Sequence, residues 1–558
     1  MSIDMMQIDE MIANKDYWNV QQILVDAKMA SSDIVEQLDM QNKINEVYSI
    51  IKEITKTNKE VFPIKFGTSG WRAIIGENYT VENVKRVTQA VVNMTYNDEF
   101  LKEINVNNHH EVEQRGVLLG YDSRFMGKDF AKAAAQVLTA NDIKVYWAGE
   151  ATTAELSGAI VELGCAFSIN LTPSHNPFEW AGYKFNPADG GPAGANLTTI
   201  IEAEFEKIAN GESDVKIVDE PVIEFVDTIE IYKEFIENKK QINLDELIKQ
   251  INASDIKLVF DNVYGATRGR MQKLLFGVEQ TKISYLRTQT DTLFGGVKPE
   301  PSSKNMQLSI DKVNKSTSKF KIGCIMDPDG DRIRFTDGKE EIEMNFFGAM
   351  ALYYFGKVQG KKGSLAKSVA TSNFANAVAD KLGIKVNETA VGFKEFREYL
   401  NDDALVAFEE SDGITIGKHT LEKDALIGAL LSIKMVLDMQ KNLGEIRQEV
   451  EDFAGKYYPG RDGVEVDRSL AGSLLKEKLS KLNKFDIGDI FEVGGVGLKI
   501  ADKLTLDGYK FVLEDGSWLL IRPSGTEPKV RFYVEGRSES QRDQLTLTAK
   551  KLLDDCLA

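Results

Sequence analysis

The sequence predicts an α/β protein: three related α/β domains with mixed sheets, followed by a smaller C-terminal α+β domain. Three observations carry that reading. From about residue 62, short apolar runs alternate with helical patterns, as in βα units. Three unusual loops, at Ser174, Asp327 and Glu409, each directly follow such a run, where α/β sheets collect their ligands. From about residue 456 the alternation gives way to paired strand-like runs and a closing helical segment.

Taken in order, residues 1–60 have no glycine, and the first proline is Pro63. Ile34, Leu38, Ile44, Val47, Ile51 and Ile54 recur at roughly helical spacing, which predicts a helical extension packed on its own protein, with an oligomer or partner contact as the alternative. Residues 61–225 form the first domain, with strands at Gly116–Gly120, Ile143–Trp147 and Gly164–Asn170 and a helix over Asp129–Gln136. Residues 226–340 form the second, with strands at Ile256–Phe260 and Ile322–Met326. Residues 341–455 form the third, around Leu405–Phe408. In residues 456–558, Trp518–Arg522 and Val530–Val534 pair around a loop, and a helix closes the chain over Ser540–Leu557.

The 558 residues carry a formal net charge of −18, which argues against nonspecific nucleic-acid binding and against an anionic membrane surface. An anionic ligand would need a locally basic site. The three cysteines, Cys165, Cys324 and Cys556, have no paired spacing, so the sequence predicts buried thiols, no disulfide framework and a reducing compartment. The start MSIDMMQIDEM lacks the pattern of a signal peptide, and no apolar run approaches membrane-spanning length. A cytoplasmic protein is expected. Nothing in the sequence sets an oligomeric state.

The chemistry sits in four loops. In Leu171-Thr-Pro-Ser-His-Asn-Pro177 a serine lies between two prolines that stiffen the chain. An exposed Ser174 hydroxyl on a stiff loop suits a covalent phosphoryl or acyl carrier. His175 can be a general base, a hydrogen-bond support or a turn residue. In Asp327-Pro-Asp-Gly-Asp-Arg332, Asp327, Asp329 and Asp331 repel one another unless a hard divalent cation, Mg²⁺ or Ca²⁺, sits among them. An EF-hand is excluded, because loop position six is Arg332 and position twelve is Gly338.

In Phe408-Glu-Glu-Ser-Asp-Gly413, leading to His419 and Glu422-Lys-Asp424, short carboxylates and hydroxyls such as Glu409 and Ser411 suit hydrogen bonding to sugar hydroxyls, although an acidic turn has the same composition. In Arg522-Pro-Ser-Gly-Thr-Glu-Pro-Lys529, with Arg531 beyond, an arginine, two hydroxyls and a glycine can cradle phosphate; an exposed hairpin turn reads equally well. Arg72, closing Lys65–Arg72, and Lys394, after Val391-Gly392-Phe393, each place a cation after a glycine turn.

In this order the loops resemble those of the α-D-phosphohexomutase superfamily, from about Lys65 to the C-terminus. Leu171–Pro177, with Gly182–Pro187 and Gly190–Ala193, is most similar to the bacterial phosphoglucomutase branch. The resemblance implies four domains around a central cleft, the last a mobile lid. It implies an isomerase-class phosphotransferase that interconverts glucose 1-phosphate and glucose 6-phosphate, with glucose 1,6-bisphosphate as intermediate and activator. Ser174 would carry the phosphoryl group. Mg²⁺ would bind Asp327, Asp329, Asp331 and a phosphoserine oxygen. Lys184 would be the general acid/base, a role that needs a lowered pKa. Arg72 and Arg332 would assist, and His175 would support the loop. Glu409 and Ser411 would hold the sugar, and Lys394 would bind substrate. Arg522, Ser524, Gly525, Thr526 and Arg531 would hold the phosphate that stays. The alternatives are a mutase that also accepts mannose phosphates, a noncatalytic phosphorylated scaffold and a metal-dependent phosphatase. Trp71 is bulkier, and residues 1–60 longer, than the resemblance leads one to expect.

Overall fold

The computed structural model describes residues 5–67, 69–467, 473–523 and 529–557. They fall into two compact units, residues 1–341 with 419–437, and residues 342–418 with 438–558.

The first unit opens with three helices, α1 (Met5–Ala13), α2 (Tyr17–Ala30) and α3 (Ile34–Thr57). Asp33 caps α3 by accepting from the Val35 N–H. The apolar stripe of α3 is buried only from Ile44 onward. Ile34 and Leu38, expected on the inner face, are exposed, because the first turns of α3 extend past the surface that covers Ile44, Val47 and Ile51.

A seven-stranded sheet follows. Its strands are β1 (Phe66–Gly67), β2 (Gly70–Ile74), β3 (Val117–Tyr121), β4 (Val145–Glu150), β5 (Phe167–Leu171), β6 (Trp180–Pro187) and β7 (Glu224–Phe225), in the order β1-β2-β6-β5-β3-β4-β7. The next sheet contains β8 (Ile256–Asp261), β9 (Ile283–Leu286), β10 (Phe320–Met326) and β11 (Ile333–Thr336). In the second unit, strands Ser364–Ser368, Lys385–Thr389, Ala404–Glu409 and Gly413–Ile416 form a four-stranded sheet.

The three sheets share one plan. β5 runs parallel to β3 and antiparallel to β6. β10 runs parallel to β8 and antiparallel to β11. Ala404–Glu409 runs parallel to Ser364–Ser368 and antiparallel to Gly413–Ile416. The Ser174, Asp327 and Glu409 loops therefore all make the same turn, from the last parallel strand of a set into its antiparallel neighbour. That position lies at the carboxyl end of a buried strand, where backbone groups run out of ladder partners and side chains can face a ligand.

The C-terminal part of the second unit is a six-stranded antiparallel sheet, with Trp518–Pro523 paired to Lys529–Gly536 and the helix Glu539–Leu557 packed on it. This is the expected α+β addition. Among the described residues all three cysteines are free and buried, and no helix is long and apolar enough to cross a membrane.

Candidate active site

Ser174 sits in the β5–β6 turn with φ +59°. A left-handed backbone is costly for a residue with a Cβ and persists only where its surroundings enforce it. Here the Ser174 N–H donates to Thr172 Oγ1 at 2.9 Å, and Thr172 Oγ1 donates to Asp122 Oδ2 at 2.7 Å. Arg124 supplies most of the rest. Its guanidinium donates to the carbonyls of Ser174 (2.6 Å), Asn176 (2.5 Å) and Pro177 (2.6 Å), and its Nε pairs with Asp122 at 3.1 Å. The turn also needs Gly182. A Cβ there would lie 2.4 Å from the Thr172 carbonyl oxygen, so only glycine lets β6 pass close behind the loop.

The Ser174 hydroxyl is buried rather than exposed as the sequence suggested. It faces the acidic loop, donating to Asp327 Oδ2 at 2.8 Å and lying 3.2 Å from Asp331 Oδ1. His175 Nδ1 lies 3.4 Å from the same oxygen. Burial, then the neighbouring Arg332 and Arg72, holds the His175 imidazole well below its ordinary pKa. A neutral ring fits hydrogen-bond support of the loop.

Asp327, Asp329 and Asp331 converge, with one carboxylate oxygen from each lying within 4.8 Å of the others. All three are buried. Asp327 Oδ1 accepts the backbone N–H groups of Asp331 and Arg332, both at 3.0 Å. Gly330 makes the turn possible at φ +67°; a Cβ there would press on Thr267 and Thr152. The Thr152–Glu155 capping box starts the helix Thr153–Leu163 against this loop. Thr153 then donates from its N–H to the Asp329 carbonyl (2.8 Å) and from its hydroxyl to Asp329 Oδ2 (2.9 Å).

Cations surround the acids. Lys184, opposite Asn170 in the β5–β6 register, places Nζ 2.6 Å from Asp329 and 3.0 Å from Asp331. Lys423 Nζ lies 3.1 Å from Asp331. Burial, followed by the charges of Asp331 and Asp329, pushes the Asp327 carboxyl well above its ordinary pKa. Burial acts the same way on Asp331, but Lys184, Lys423 and Arg332 overcome it and hold that carboxyl well below the usual range. Burial pulls the Lys184 ammonium down, yet Asp329, Asp331 and Glu422 outweigh it and its pKa rises. The lowered pKa that an acid/base lysine needs is therefore not what this arrangement produces.

Arg72, on β2 opposite Gly182, donates to Asn176 Oδ1 at 2.8 Å. Burial and the nearby Arg332 lower its pKa to about 10, which still leaves it charged at neutral pH. Arg332 Nε is 3.8 Å from Asp331 Oδ1.

The donor set fits a hard divalent cation. It offers three carboxylates and no nitrogen or sulfur ligand, and the buried Asp329 Oδ1 has no hydrogen-bond partner among the described residues.

The second unit gathers the other predicted residues. Glu409, at the end of Ala404–Glu409, is buried and accepts the Gly392 N–H at 2.7 Å. The neighbouring Val391 N–H donates to Asp507 Oδ2 at 3.1 Å, and Arg522 Nε binds the same oxygen at 2.7 Å. Asp507 thus ties the glycine turn that carries Lys394 to Arg522. Arg531 is the register partner of Arg522 on the adjacent strand. Ser411 is half-buried beside Asp412, whose φ is +70°. Ser524, Gly525 and Thr526 lie outside the described residues.

Sequence reasoning missed Arg124, Asp122, Thr153, Lys423 and Asp507. Arg124 stands in Tyr121–Arg124 directly after a strand, and Lys423 in the Glu422-Lys-Asp424 segment to which the third loop leads, so those two positions were the available signals. Lys423 is delivered by an anchored segment. Asp424 accepts from the Tyr232 hydroxyl at 2.5 Å, lies 2.8 Å from His419 Nε2, and caps the helix Ala425–Met439 through the Ile427 N–H.

A buried serine hydroxyl facing three convergent carboxylates, in a turn that recurs on three α/β sheets, is an arrangement able to serve phosphoryl transfer. Comparison with known proteins makes this specific. Four domain models of phosphoglucomutase/phosphomannomutase match: α/β/α domain I over residues 63–212, domain II over 231–340, domain III over 344–453 and the C-terminal domain over 475–548. The chain belongs to the phosphoglucomutase/phosphomannomutase family of the α-D-phosphohexomutase superfamily, whose members are isomerase-class phosphotransferases.

A phosphoglucosamine/phosphogalactosamine mutase of Sulfurisphaera tokodaii is 26% identical over 499 residues, covering 88% of this chain and 99% of the relative. A phosphoglucomutase of Staphylococcus saprophyticus is 25% identical over 539 residues, covering 88% and 94%. A Thermus thermophilus crystal structure, solved as a candidate phosphomannomutase, superposes with a TM-score of 0.71 at 27% identity, covering 89% of this chain and all of that one.

Proposed function

We propose that this protein is a phosphoglucomutase that interconverts glucose 1-phosphate and glucose 6-phosphate through phosphorylated Ser174. The observation that carries the reading is the Ser174 hydroxyl held 2.8 Å from Asp327 at the mouth of the aspartate nest. The glucose assignment rests on the phosphoglucomutase-like segments around Ser174 and Lys184.

In the forward half-reaction the P–Oγ bond of phospho-Ser174 breaks as a bond forms between phosphorus and the sugar 6-hydroxyl, whose proton leaves to a base. The bisphosphate reorients, its P–O bond at C1 breaks as a new P–Oγ bond forms on Ser174, and the Ser174 hydroxyl loses its proton while the C1 oxygen takes one up. Mg²⁺ held by Asp327, Asp329, Asp331 and an oxygen of phospho-Ser174 would offset the charge of the moving phosphoryl group. Arg72 and Arg332 add positive charge beside it. Lys184, which Asp329 and Asp331 keep protonated, can give a proton to a leaving oxygen but not take one, and His175 supports the loop. Glu409 and Ser411 hold the sugar hydroxyls, and Lys394 binds substrate. Arg522, Ser524, Gly525, Thr526 and Arg531 hold the phosphate that is not transferred. Glucose 1,6-bisphosphate restores Ser174 that has lost its phosphoryl group. We place the enzyme in the cytoplasm.

The test is initial mutase rate with Mg²⁺ and a trace of glucose 1,6-bisphosphate, comparing glucose, mannose and glucosamine 1-phosphates. A preference for glucose 1-phosphate in kcat/KM is expected. Equal glucose and mannose rates would make the enzyme dual-specific, and turnover of none would refute the reading.

A further inference from the structure

We propose that the N-terminal helices α2 and α3 are a brace for the Ser174 loop, and that Trp18 and Tyr48 are positioning residues for phosphoryl transfer. The inference rests on Ser174 as the phosphoryl carrier. Arg124, whose donors hold the loop carbonyls, has its guanidinium 5.0 Å from the Phe294 ring centroid, and Phe125 is its neighbour in the chain. Phe178 follows the loop's last proline. The extension covers this group.

Trp18 packs on Phe178 (centroids 5.9 Å apart) and on Phe125 (6.5 Å), and its indole N–H donates to the Ile75 carbonyl at 3.1 Å. Tyr48 stacks on Phe125 at 4.0 Å, and its hydroxyl lies 2.7 Å from Thr292 Oγ1. The turn bearing Phe294 is itself unusual, with Phe294, Gly295 and Gly296 all at positive φ. Gln22 donates to the Gly296 carbonyl at 3.1 Å. A Cβ on Gly296 would meet Asp26 Oδ1 at 2.7 Å. Lys52 and Lys56 each lie 3.1 Å from Asp129, in the helix that follows Phe125.

The brace thus touches the segments on both sides of the Arg124 clamp and the turn beneath it. Aromatic packing of this kind is rigid and costs little entropy to hold. A left-handed serine needs such enforcement, because relaxation of the loop would move Oγ off line with the aspartates.

The test uses the full chain with Trp18→Ala, Trp18→Phe and Gln22→Ala, and with Leu247→Ala as a control in the buried face of the helix Leu244–Ala253, outside the brace. Hydrogen exchange over residues 172–180 and steady-state kinetics are read together. Trp18→Ala is expected to speed loop exchange and lower kcat about 10-fold or more with KM within about twofold. Trp18→Phe is expected to recover most of both. Leu247→Ala is expected to lower Tm alone. Should Trp18→Ala fail to fold, Gln22→Ala, a half-buried site, is expected to show the same loop-exchange change in smaller measure. A folded Trp18→Ala protein with unchanged loop exchange, or Leu247→Ala matching Trp18→Ala in kcat, would overturn the brace. Faster loop exchange in a protein without mutase activity would leave the brace standing and refute the proposed function instead.

Discussion

Arg124→Met is the perturbation whose outcome the structure specifies most closely. The guanidinium is 2% exposed and pairs with an Asp122 side chain that is 1% exposed. Removing one partner of a buried pair costs about 3–5 kcal/mol, because the other charge is left without compensation. The carbonyls of Ser174, Asn176 and Pro177 lose their donor as well, at about 1 kcal/mol or more each if they stay buried. The loop has a cheaper alternative, which is to open to water and release Ser174 from φ +59°, a conformation costing roughly 1–2 kcal/mol. Opening caps the loss, so the expected destabilisation is about 3–5 kcal/mol rather than the sum. The same opening moves Oγ away from Asp327, and turnover should fall by about 100-fold. Arg124→Lys keeps the charge but not the planar fork, and should fall between the two. Urea unfolding followed by circular dichroism, with initial mutase rates on the same preparations, reads both quantities. A folded Arg124→Met protein within about 1 kcal/mol and twofold of wild type would refute the clamp.

Three further outcomes follow from the same geometry. Asp329→Asn removes the carboxylate with the partnerless oxygen and should weaken Mg²⁺ binding about tenfold or more, measured by calorimetry; because Asp327 sits well above its ordinary pKa, wild-type binding should release protons and tighten as pH rises. Asp122 is raised to about 6 by burial, which outweighs Arg124 and Thr172. Its contribution to stability is thus fully present below about pH 4 and lost as pH rises through about 6, to the extent of about 3 kcal/mol, and an NMR titration of its carboxyl checks the midpoint. Asp507→Ala frees Arg522 and Val391 together and should raise KM for the phosphosugar about tenfold with a smaller change in kcat.

The legible part of this protein was its periodic and local part. Buried parallel strands such as Phe167–Leu171 and Phe320–Met326 read directly as apolar runs, because both faces are covered. The convergence of Asp327, Asp329 and Asp331 was legible because the three carboxylates lie on one short turn. What escaped were partnerships between residues far apart in the chain. Arg124 reaches carbonyls 50 to 53 residues away, and Lys423 meets Asp331 from a segment with its own anchor at Tyr232. The start of α3 misled for the complementary reason. Ile34 and Leu38 keep helical spacing, but spacing does not say where the covering surface ends. The Ser174 hydroxyl was expected in solvent, whereas its donor capacity draws it onto Asp327.

The central claim is that Ser174 carries a phosphoryl group that passes to the sugar. The direct measurement is a single turnover with enzyme phosphorylated by labelled glucose 1,6-bisphosphate, followed by addition of unlabelled glucose 1-phosphate. The account predicts label on the Ser174 peptide beforehand and on hexose bisphosphate afterwards, with none incorporated by Ser174→Ala. Label on another residue, or its release as inorganic phosphate, would contradict it.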